Sequence, residues 1–355
     1  MIGRDPQRGS GIIAGMNPQA DLVVRRREGL YCAAGDFYID PWARVGRAVI
    51  THAHADHARA GHAHYLCSAE SRHVLHERLG PVSLQCLGWG EVLRIDEVEL
   101  SLHPAGHILG AAQVRIAHPR LGTWVLSGDY RLQPDPTCTP FEPVRCDTFV
   151  TESTFGLPVY RWPSQEREIG RLLAWWQTNA AQRLPSRLQV YSLGKAQRVL
   201  AALSRHSQLP GRIVCHPAIE RMNAAYAASG IELPATTSAD ALSADDRAGA
   251  LLLLPPAAAD GPLARSLRHA RDALASGWMQ IRGMRRRRAV DLGLVISDHA
   301  DWPALQSAIR ASGAQRVIVT HGYEAVMVRW LSEQGLHAGH FETAFIGDDD
   351  EGSGT

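Results

Sequence analysis

Short apolar runs, each ending in polar residues, recur along this chain, and helix-like stretches separate several of them. The runs at 48–50, 97–103, 123–126 and 316–319 all lead into segments that contain histidine or aspartate. Short apolar runs are typical of buried strands, whereas a longer stretch such as 68–80 (SAESRHVLHERLG) is typical of a helix. The alternation predicts an α/β protein whose strands carry polar side chains at their carboxyl ends.

The middle of the chain contains none of the metal-ligand candidates described below. Helical runs at 165–182 and 195–206 alternate there with apolar runs at 188–192, 212–216 and 250–256. This pattern predicts a separate α/β domain inserted into the first one. The predicted division is a disordered N-terminus at 1–20, a first domain part at 21–157, the inserted domain at 158–288, a return segment at 289–347 and a tail at 348–355.

Composition limits the classes of protein to consider. The chain has 355 residues, 45% of them hydrophobic, which is enough for one large core or two modest ones. It has no uncharged apolar run of about 18 residues and begins with polar residues, so we expect no membrane span or secretory signal. The six cysteines show no CxxC spacing, which predicts reduced thiols in a cytoplasmic protein. With a net charge of +1, any nucleic-acid footprint must be local.

The segment that follows the apolar run at 48–50 holds four metal-capable side chains within six residues. His52 and His54 are two positions apart, so in an extended segment they point the same way and can bind one ion. Asp56 and His57 follow at the next turn and are positioned for a second ion. The alternative is a chance cluster in a chain with 17 histidines. Dense clusters of histidine and aspartate are the usual sequence mark of a metal site, so we favour metal binding.

Three more ligand candidates end apolar runs elsewhere in the chain. They are His107 in PAGHILG, Asp129 in SGDY and His321 in THG. Taken singly, each would more commonly be a core or turn residue. Together they form a pattern, because each has a glycine beside it at a strand end. Sites in α/β folds gather beyond the carboxyl ends of strands, so the pattern predicts that the three meet the histidine-rich segment.

These motifs resemble those of a known fold and of one of its branches. THAHADH, PAGHILG, SGDY and the late THG resemble the ligand motifs of the metallo-β-lactamase fold. TESTFG around Glu152, SDHAD around His299 and THG around His321 resemble motifs A, B and C of the β-CASP nucleases. Within that branch the chain is most similar to the bacterial ligase-associated DNA exonucleases. The strings that carry this likeness between about 21 and 345 are GDFYIDPW, CDTFVTESTFGLPVYRWP, YSLGKAQR, SGWM, RRRRAVD and SDHADW.

The resemblance implies a fold and a cofactor. The fold is a metallo-β-lactamase αβ/βα four-layer sandwich with an inserted β-CASP cap domain, and nucleic acid would lie in the cleft between them. The cofactor would be two divalent ions, zinc first, with manganese or iron as alternatives. The expected ligands are His52, His54 and His107 for the first ion, Asp56, His57 and His321 for the second, and Asp129 as a bridge between them.

The resemblance also implies roles beyond the ligands. Asp40 would orient a ligand histidine through its other ring nitrogen. The expected catalytic residues are Asp56, His299 and Glu152. Among them, His299 would be the general acid that protonates the leaving oxygen, and Glu152 would hold its tautomer.

Two basic features are candidates for substrate phosphates. The first is the turn into a helix formed by Ser192, Gly194 and Lys195, which without the resemblance is equally consistent with an ordinary strand-to-helix turn. The second is a run of arginines before an apolar strand, which in isolation is more typical of a solvated face. Its members are Arg282, Arg285, Arg286, Arg287 and Arg288.

The resulting hypothesis is a metal-dependent DNA exonuclease that hydrolyses phosphodiester bonds by a two-metal mechanism. We expect it to act in DNA end processing and repair, in functional association with an ATP-dependent DNA ligase and a helicase. The alternative is a β-CASP ribonuclease, because histidine at the position of His321 is more typical of RNA enzymes in the wider branch. A more distant alternative is a non-catalytic nucleic-acid-binding scaffold.

Overall fold

The structure is a computed structural model that describes residues 21–238, 241–267 and 269–341. Within these residues it contains three β-sheets and nine α-helices. The predictions made for the N-terminus at 1–20 and for the tail at 348–355 lie outside the described residues. The alternation of strands and helices confirms the predicted α/β class.

The first sheet has six strands and forms one side of the candidate functional site. In order across the sheet the strands are Val24–Arg25 (β1), Leu30–Cys32 (β2), Phe37–Ile39 (β3), Arg47–Val49 (β4), His64–Ser68 (β5) and Leu84–Leu87 (β6). Strands β1, β2 and β3 pair antiparallel, whereas β3, β4, β5 and β6 pair parallel. The carboxyl ends of β3, β4 and β5 therefore meet at one edge.

The second sheet has seven strands, and half of it is again parallel. Across the sheet the strands are His337–His340 (β18), Arg316–Gly322 (β17), Thr148–Ser153 (β11), Gly122–Leu126 (β10), Ala112–His118 (β9), Val98–Pro104 (β8) and Val92–Ile95 (β7). Strands β7 to β10 form an antiparallel meander, while β10, β11, β17 and β18 run parallel.

An apolar core joins these two sheets face to face. Ile39 and Val49 come from the first sheet, and Leu102, Val114 and Leu126 come from the second; all five are buried in one cluster. Successive strand residues alternate between faces, so each strand places every second side chain in this layer. Fully burying one such side chain contributes about 1.5–3 kcal/mol, so this layer fixes how the two sheets meet.

Helices cover the outer faces of the same two sheets. Leu305 and Ile309 of one helix share a core cluster with Phe149 and Val317 of the second sheet. That cluster also contains Val74, which lies on a helix between β5 and β6 of the first sheet. The helices outside the inserted region are Arg72–Leu79 (α1), Trp302–Ser312 (α8) and Glu324–Glu333 (α9).

The third sheet lies in the middle of the chain and is parallel throughout. Its strands, in order across the sheet, are Ile213–Cys215 (β13), Leu251–Leu254 (β14), Ser186–Gln189 (β12), Arg271–Ala275 (β15) and Leu292–Leu294 (β16). Because β16 pairs with β15, this sheet continues past residue 288, where the return segment was predicted to begin. The helices of this region are Gln165–Ala181 (α2), Lys195–Leu203 (α3), Pro217–Ala228 (α4), Ala244–Gly249 (α5), Pro262–Ser266 (α6) and Arg282–Arg287 (α7).

One buried arginine ties the third sheet to loops of the second. Arg198 lies on α3, and its guanidinium contacts the carboxylates of Asp135 and Asp298, the latter at 2.8 Å. It also donates to the carbonyls of Ser297 (2.6 Å) and His107 (3.2 Å). The carboxylates outweigh the burial penalty and raise the pKa of Arg198 above its usual value. Five donors in a fixed fork suit one arginine to several partners at once.

In the described part of the chain, none of the helices has the length and apolar character needed to cross a membrane. The predicted cytoplasmic location stays a prediction. All six cysteines are described, and each is a free thiol.

We expect Arg198→Met to destabilise the protein by about 3–5 kcal/mol, because it removes the guanidinium that pairs with two buried carboxylates. Urea unfolding measures the loss. The matched control is Arg183→Met, which removes an exposed partner of Asp245 at 2.7 Å and should change stability by less than about 1 kcal/mol. Equal effects of the two substitutions would contradict the structural role given to Arg198.

Candidate metal centre

Carboxyl ends of strands from both large sheets converge on one place. From the first sheet, β3 ends before Asp40, and β4 leads into the segment 51–57. From the second sheet, β10 leads to Asp129, while β11 and β17 carry Glu152 and His321 near their ends. These strands are parallel within each sheet, so the chain direction itself collects the polar residues.

The first group of potential ligands is His52, His54, His107 and Asp129. His54 Nδ1 lies 3.1 Å from both His52 Nε2 and His107 Nε2. Asp129 Oδ2 lies 3.4 Å from His52 Nε2 and 3.8 Å from His107 Nε2. Zinc bonds to nitrogen are about 2.0–2.1 Å, which separates tetrahedral ligands by roughly 3.4 Å. The donor atoms therefore fit one zinc-sized ion.

The remaining ring nitrogens of these histidines are bonded to protein oxygens. A nitrogen that donates to such an oxygen carries the proton, which leaves the opposite nitrogen as a lone pair for the ion. Burial lowers the pKa of His52 and His107 well below the usual value, so both rings favour the neutral, ligating form. The three donations are from His52 Nδ1 to Thr51 Oγ1 (3.1 Å), from His54 Nε2 to the Leu193 carbonyl (3.2 Å) and from His107 Nδ1 to the Asp298 carbonyl (2.9 Å).

The second group is His57, Asp129 and His321, so Asp129 belongs to both. Asp129 Oδ2 lies 3.4 Å from His57 Nε2, and its other oxygen lies 3.1 Å from His321 Nε2. Asp56, which is partly exposed, reaches 3.4 Å from His57 Nε2 with one oxygen. Each oxygen of Asp129 thus faces imidazole nitrogens, as a carboxylate bridging two ions would.

Electrostatics distinguish the second group from the first. Burial alone would lower the pKa of His57, but the carboxylates of Asp56, Asp129 and Asp40 outweigh it and raise that pKa well above the usual value. The hydrogen bond and charge of Asp129 likewise outweigh burial and raise the pKa of His321. For Asp129 the nearby imidazoles, His57 first, outweigh burial and lower its pKa. The second group is therefore rich in negative charge, which favours a bound cation.

Asp40 lies behind the histidines and accepts three hydrogen bonds. Its Oδ2 accepts from His57 Nδ1 at 2.7 Å and from Thr51 Oγ1 at 2.5 Å, and its Oδ1 accepts from the Thr51 amide at 2.8 Å. Because Thr51 in turn accepts from His52, this one carboxylate fixes the rings of both His52 and His57. That is the orienting position predicted for Asp40. The contribution of Thr51 was missed, although it directly precedes His52 in the motif.

Glu152 and His299 lie beside the two groups. Glu152 Oε2 accepts from His299 Nδ1 at 2.9 Å, and Glu152 Oε1 accepts from the Tyr130 amide at 2.9 Å. The Glu152 side chain is fully buried. Asp129, Glu152 and His299 also offer atoms close enough to one another to hold an ion, so geometry alone allows His299 to be a ligand or an acid.

Three ligand candidates have a neighbouring glycine that no other residue could replace without strain. Gly106, Gly128 and Gly322 all have positive φ. A Cβ at Gly128 would lie 2.8 Å from Thr51 Cβ, and a Cβ at Gly106 or Gly322 would lie 2.2–2.3 Å from a backbone oxygen. Two backbones must approach closely to bring these ligands together, and only glycine permits it.

The predicted phosphate turn is placed beside the centre, but its groups are engaged within the protein. The Lys195 side chain is buried, with Nζ 3.6 Å from Asp298 Oδ2 and 4.2 Å from the Tyr191 ring centre. The Gly194 amide donates to Gln197 Oε1 at 2.8 Å, and the Ser192 carbonyl accepts from the Gln197 amide at 3.1 Å. What the turn contributes directly is the Leu193 carbonyl that accepts from His54.

The predicted arginine run lies on a connection between two strands of the third sheet. It forms α7, which connects β15 to β16, and these strands are parallel. The connection therefore starts at the carboxyl edge of the sheet, where Arg282 lies, and returns to the opposite edge, toward Arg288. His299 follows β16 at the carboxyl edge. Arg282, Arg285, Arg286 and Arg287 are exposed, and Arg288 is half-buried.

Two further residues escaped the sequence-based predictions. The Asp298 carbonyl accepts a hydrogen bond from His107, and the Arg198 guanidinium forms an ion pair with the Asp298 side chain. Asp298 is adjacent to His299 in SDHAD, and Arg198 closes the string YSLGKAQR. The motifs contained both residues, but only the three-dimensional contacts show what they do.

The chain is similar in sequence to several known proteins. No family model matches the chain. It is 29% identical over 317 residues to a protein from Opitutus terrae named "Probable DNA ligase", covering 89% of this chain and 30% of that protein. It is 28% identical over 156 residues to "Endoribonuclease ysh1" of Aspergillus fumigatus, covering 42% of this chain and 17% of the relative. It is 30% identical over 135 residues to "Transcription termination factor FttA" of Thermococcus kodakarensis, covering 35% and 20%.

The chain thus spans about a third or less of the length of these curated relatives. Among solved structures, it is similar to a protein of unknown function from Enterococcus faecalis V583. The TM-score is 0.54 at 14% identity, covering 84% of this chain and 79% of that one, which supports a shared fold. The relatives are consistent with the β-CASP metallo-β-lactamase resemblance of the sequence motifs.

We expect Asp129→Asn to weaken divalent-ion binding by more than about 100-fold, because it removes the only charged group shared by both ligand sets. Losing an outer partner of a ligand already costs about 10–100-fold. Zinc titration with a competing chelator measures the affinity. The control is Asp245→Asn, an exposed aspartate paired with Arg183. Unchanged zinc affinity in Asp129→Asn would show that this cluster is not a metal centre.

Gly128→Ala tests the close approach of Gly128 to Thr51, next to Asp129. A Cβ there meets Thr51, and the left-handed conformation costs about 1–2 kcal/mol for a residue with a side chain. We expect lower stability in thermal unfolding together with weaker zinc binding. Gly46→Ala is the matched control, because a Cβ there meets nothing within 4 Å and φ is not positive. Wild-type zinc affinity in Gly128→Ala would show that the ligands tolerate displacement.

Proposed function

We propose that this protein is a metal-dependent nuclease that hydrolyses phosphodiester bonds, and more specifically a DNA exonuclease. The observation that carries the proposal is Asp129, which lies between two sets of imidazole nitrogens, with the His299–Glu152 pair beside it. Two ion sites that share a carboxylate suit phosphodiester hydrolysis, because paired ions can stabilise the attacking and leaving oxygens, and a positioned histidine beside them can supply a proton. The relatives named above, an endoribonuclease among them, support the same reaction class.

The proposed ligand assignment is the one that the sequence motifs imply, and the donor distances support it. His52, His54 and His107 would hold the first ion, Asp56, His57 and His321 the second, and Asp129 would bridge them. Imidazole-rich ligand sets suit zinc, with manganese or iron as alternatives. When bound, such ions lower the pKa of a bound water and offset the negative charge of the transition state.

The proposed role of His299 is to protonate the leaving oxygen. Its Nδ1 is held by the Glu152 carboxylate at 2.9 Å, which places the transferable proton on Nε2. Glu152 is fixed in turn by the Tyr130 amide, so the ring cannot rotate without losing a buried hydrogen bond. The carboxylate also stabilises the imidazolium form, which must exist before the proton is given up.

The finer fold belongs to the same proposal. The two large sheets with outer helices would form the metallo-β-lactamase αβ/βα sandwich, and the five-stranded parallel sheet would form the β-CASP cap. Nucleic acid would lie in the cleft between them. The exposed arginines of α7 would contact phosphates that extend past the cap, with Arg282 nearest the carboxyl edge of the sheet.

DNA is the preferred substrate because 89% of this chain aligns within a protein named a probable DNA ligase. That similarity also supports functional association with an ATP-dependent DNA ligase. RNA is the second candidate, supported by the similarity to an endoribonuclease and by histidine at position 321. Association with a helicase stays a prediction from the sequence resemblance.

Product mapping tests the reaction and the substrate together. Protein loaded with Zn²⁺ or Mn²⁺ is incubated with end-labelled single-stranded DNA and with RNA of matched sequence. We expect stepwise shortening of DNA from one end, abolished by a chelator because the ions carry the chemistry. Asp129→Asn is the inactive control for contaminating nucleases. Faster cleavage of RNA would favour the ribonuclease, and hydrolysis of neither substrate by the loaded protein would contradict the proposal.

His299→Ala separates a proton donor from a ligand. We expect metal content close to that of the wild type and cleavage reduced by about 10²–10⁴-fold, the usual effect of losing one positioned acid. Glu152→Gln should lose less, because the amide oxygen still accepts from the imidazole. A better leaving group at the scissile oxygen should partly rescue both variants. Loss of an ion in His299→Ala would instead make His299 a ligand.

A further inference from the structure

Two cysteines outside the metal centre face each other across neighbouring strands. Cys67 of β5 and Cys86 of β6 are registered partners in a parallel pair, and their sulfurs lie 3.7 Å apart. Adjacent strands are about 4.8 Å apart, within the range of Cα separations that disulfides span. A bond requires the sulfurs to approach to about 2.05 Å, so only a small movement is needed.

The two thiols differ in accessibility and in acidity. Cys67 is fully buried, whereas Cys86 is half-buried on the edge strand. The Cys67 thiol and the Arg72 guanidinium stabilise the Cys86 thiolate and lower its pKa below the usual value, while the pKa of Cys67 is raised. Burial raises the pKa of the other four cysteines, which are Cys32, Cys138, Cys146 and Cys215. Cys86 is therefore the thiol suited to react, and Cys67 is suited to resolve the product.

We propose that Cys67 and Cys86 form a reversible oxidation site for hydrogen peroxide. The Cys86 sulfur attacks one peroxide oxygen, the O–O bond breaks, and water leaves with a cysteine sulfenic acid in place of the thiol. The Cys67 sulfur then attacks the sulfenic sulfur, a second water leaves, and the disulfide forms. Overall, two thiols lose two electrons and two protons, and the peroxide is reduced to two waters. A dithiol reductant reverses the step by thiol–disulfide exchange.

The position of the pair connects it to the metal centre. The residue after Cys67 is Ser68, whose hydroxyl donates to the Gly110 carbonyl at 2.6 Å. A Cβ at Gly110 would lie 2.3 Å from the Ser71 amide, so the two segments are in close backbone contact. Gly110 belongs to the same loop as His107. Drawing Cys67 toward Cys86 therefore displaces the support of a ligand-bearing loop, and we infer that oxidation weakens ion binding there.

Thiol mapping of the full chain tests the oxidation. Protein is treated with hydrogen peroxide, quenched, alkylated, and analysed by intact mass and peptide mapping. We expect two thiols to be lost together, a disulfide-linked pair of peptides containing Cys67 and Cys86, and full recovery with dithiothreitol. In Cys67→Ser, Cys86 should stop at sulfenic acid and be trapped by dimedone. In Cys146→Ser the linked peptides should form as in the wild type.

Zinc titration of the oxidised protein tests the connection to the metal centre. We expect an affinity about tenfold weaker than that of the reduced protein, at the lower end of the effect of disturbing a ligand's support. The double variant Cys67→Ser, Cys86→Ser should show no change after peroxide, which controls for direct damage to the histidines. Circular dichroism confirms that each variant is folded before the comparison.

Failure of this proposal can be distinguished from failure of the proposed nuclease function, because neither thiol mapping nor zinc titration depends on cleavage. Alkylation of both Cys67 and Cys86 after peroxide treatment, or oxidation of Cys86 to a sulfinic acid without any linked peptide in the wild type, overturns the oxidation site. Formation of the disulfide with unchanged zinc affinity overturns the connection to the His107 loop.

Discussion

A single buried carboxylate sets the electrostatic requirement that the surrounding structure meets. Asp129 is almost inaccessible to water, yet its pKa is lowered, because His57, His299 and His321 stabilise the carboxylate more than burial penalises it. Four imidazoles approach its oxygens within 3.1–3.8 Å. A buried charge without such partners would cost several kcal/mol. Those imidazoles come from both large sheets, so the ends of β4, β10 and β17 must meet at Asp129. The apolar layer between the sheets and the glycines beside the ligands make that meeting possible.

The third sheet completes the centre that the other two begin. The Leu193 carbonyl before α3 accepts from His54, and the Asp298 carbonyl after β16 accepts from His107. Arg198 and Lys195 of α3 both contact the Asp298 side chain. The candidate ligands His54 and His107 are therefore held in part by backbone carbonyls of this region.

Local patterns predicted the ligands, but long-range contacts decided what surrounds them. Alternate spacing was enough to pair His52 with His54, because a strand end fixes the direction of both side chains. Glu152 and His299 are 147 positions apart, and only the family resemblance linked them before the structure did. Lys195 was predicted for phosphate from a helix start, but burial beside Asp298 depends on a segment about a hundred residues away. The path of the arginine run could not be read from local sequence, because it depends on the parallel pairing of β15 with β16.

Hydrogen bonds within the protein hold the candidate ligands in their orientations. His52, His54, His57 and His107 each bond a protein oxygen through the nitrogen that faces away from the centre, and none of these bonds requires a metal. Asp40 and His321 are held at positive φ, +42° and +26°, a conformation that costs of order 1–3 kcal/mol in residues with side chains. Packing of the strands on either side must supply that energy. An ion bound there would meet donors that are already aligned, so little of its binding energy would be spent on ordering them.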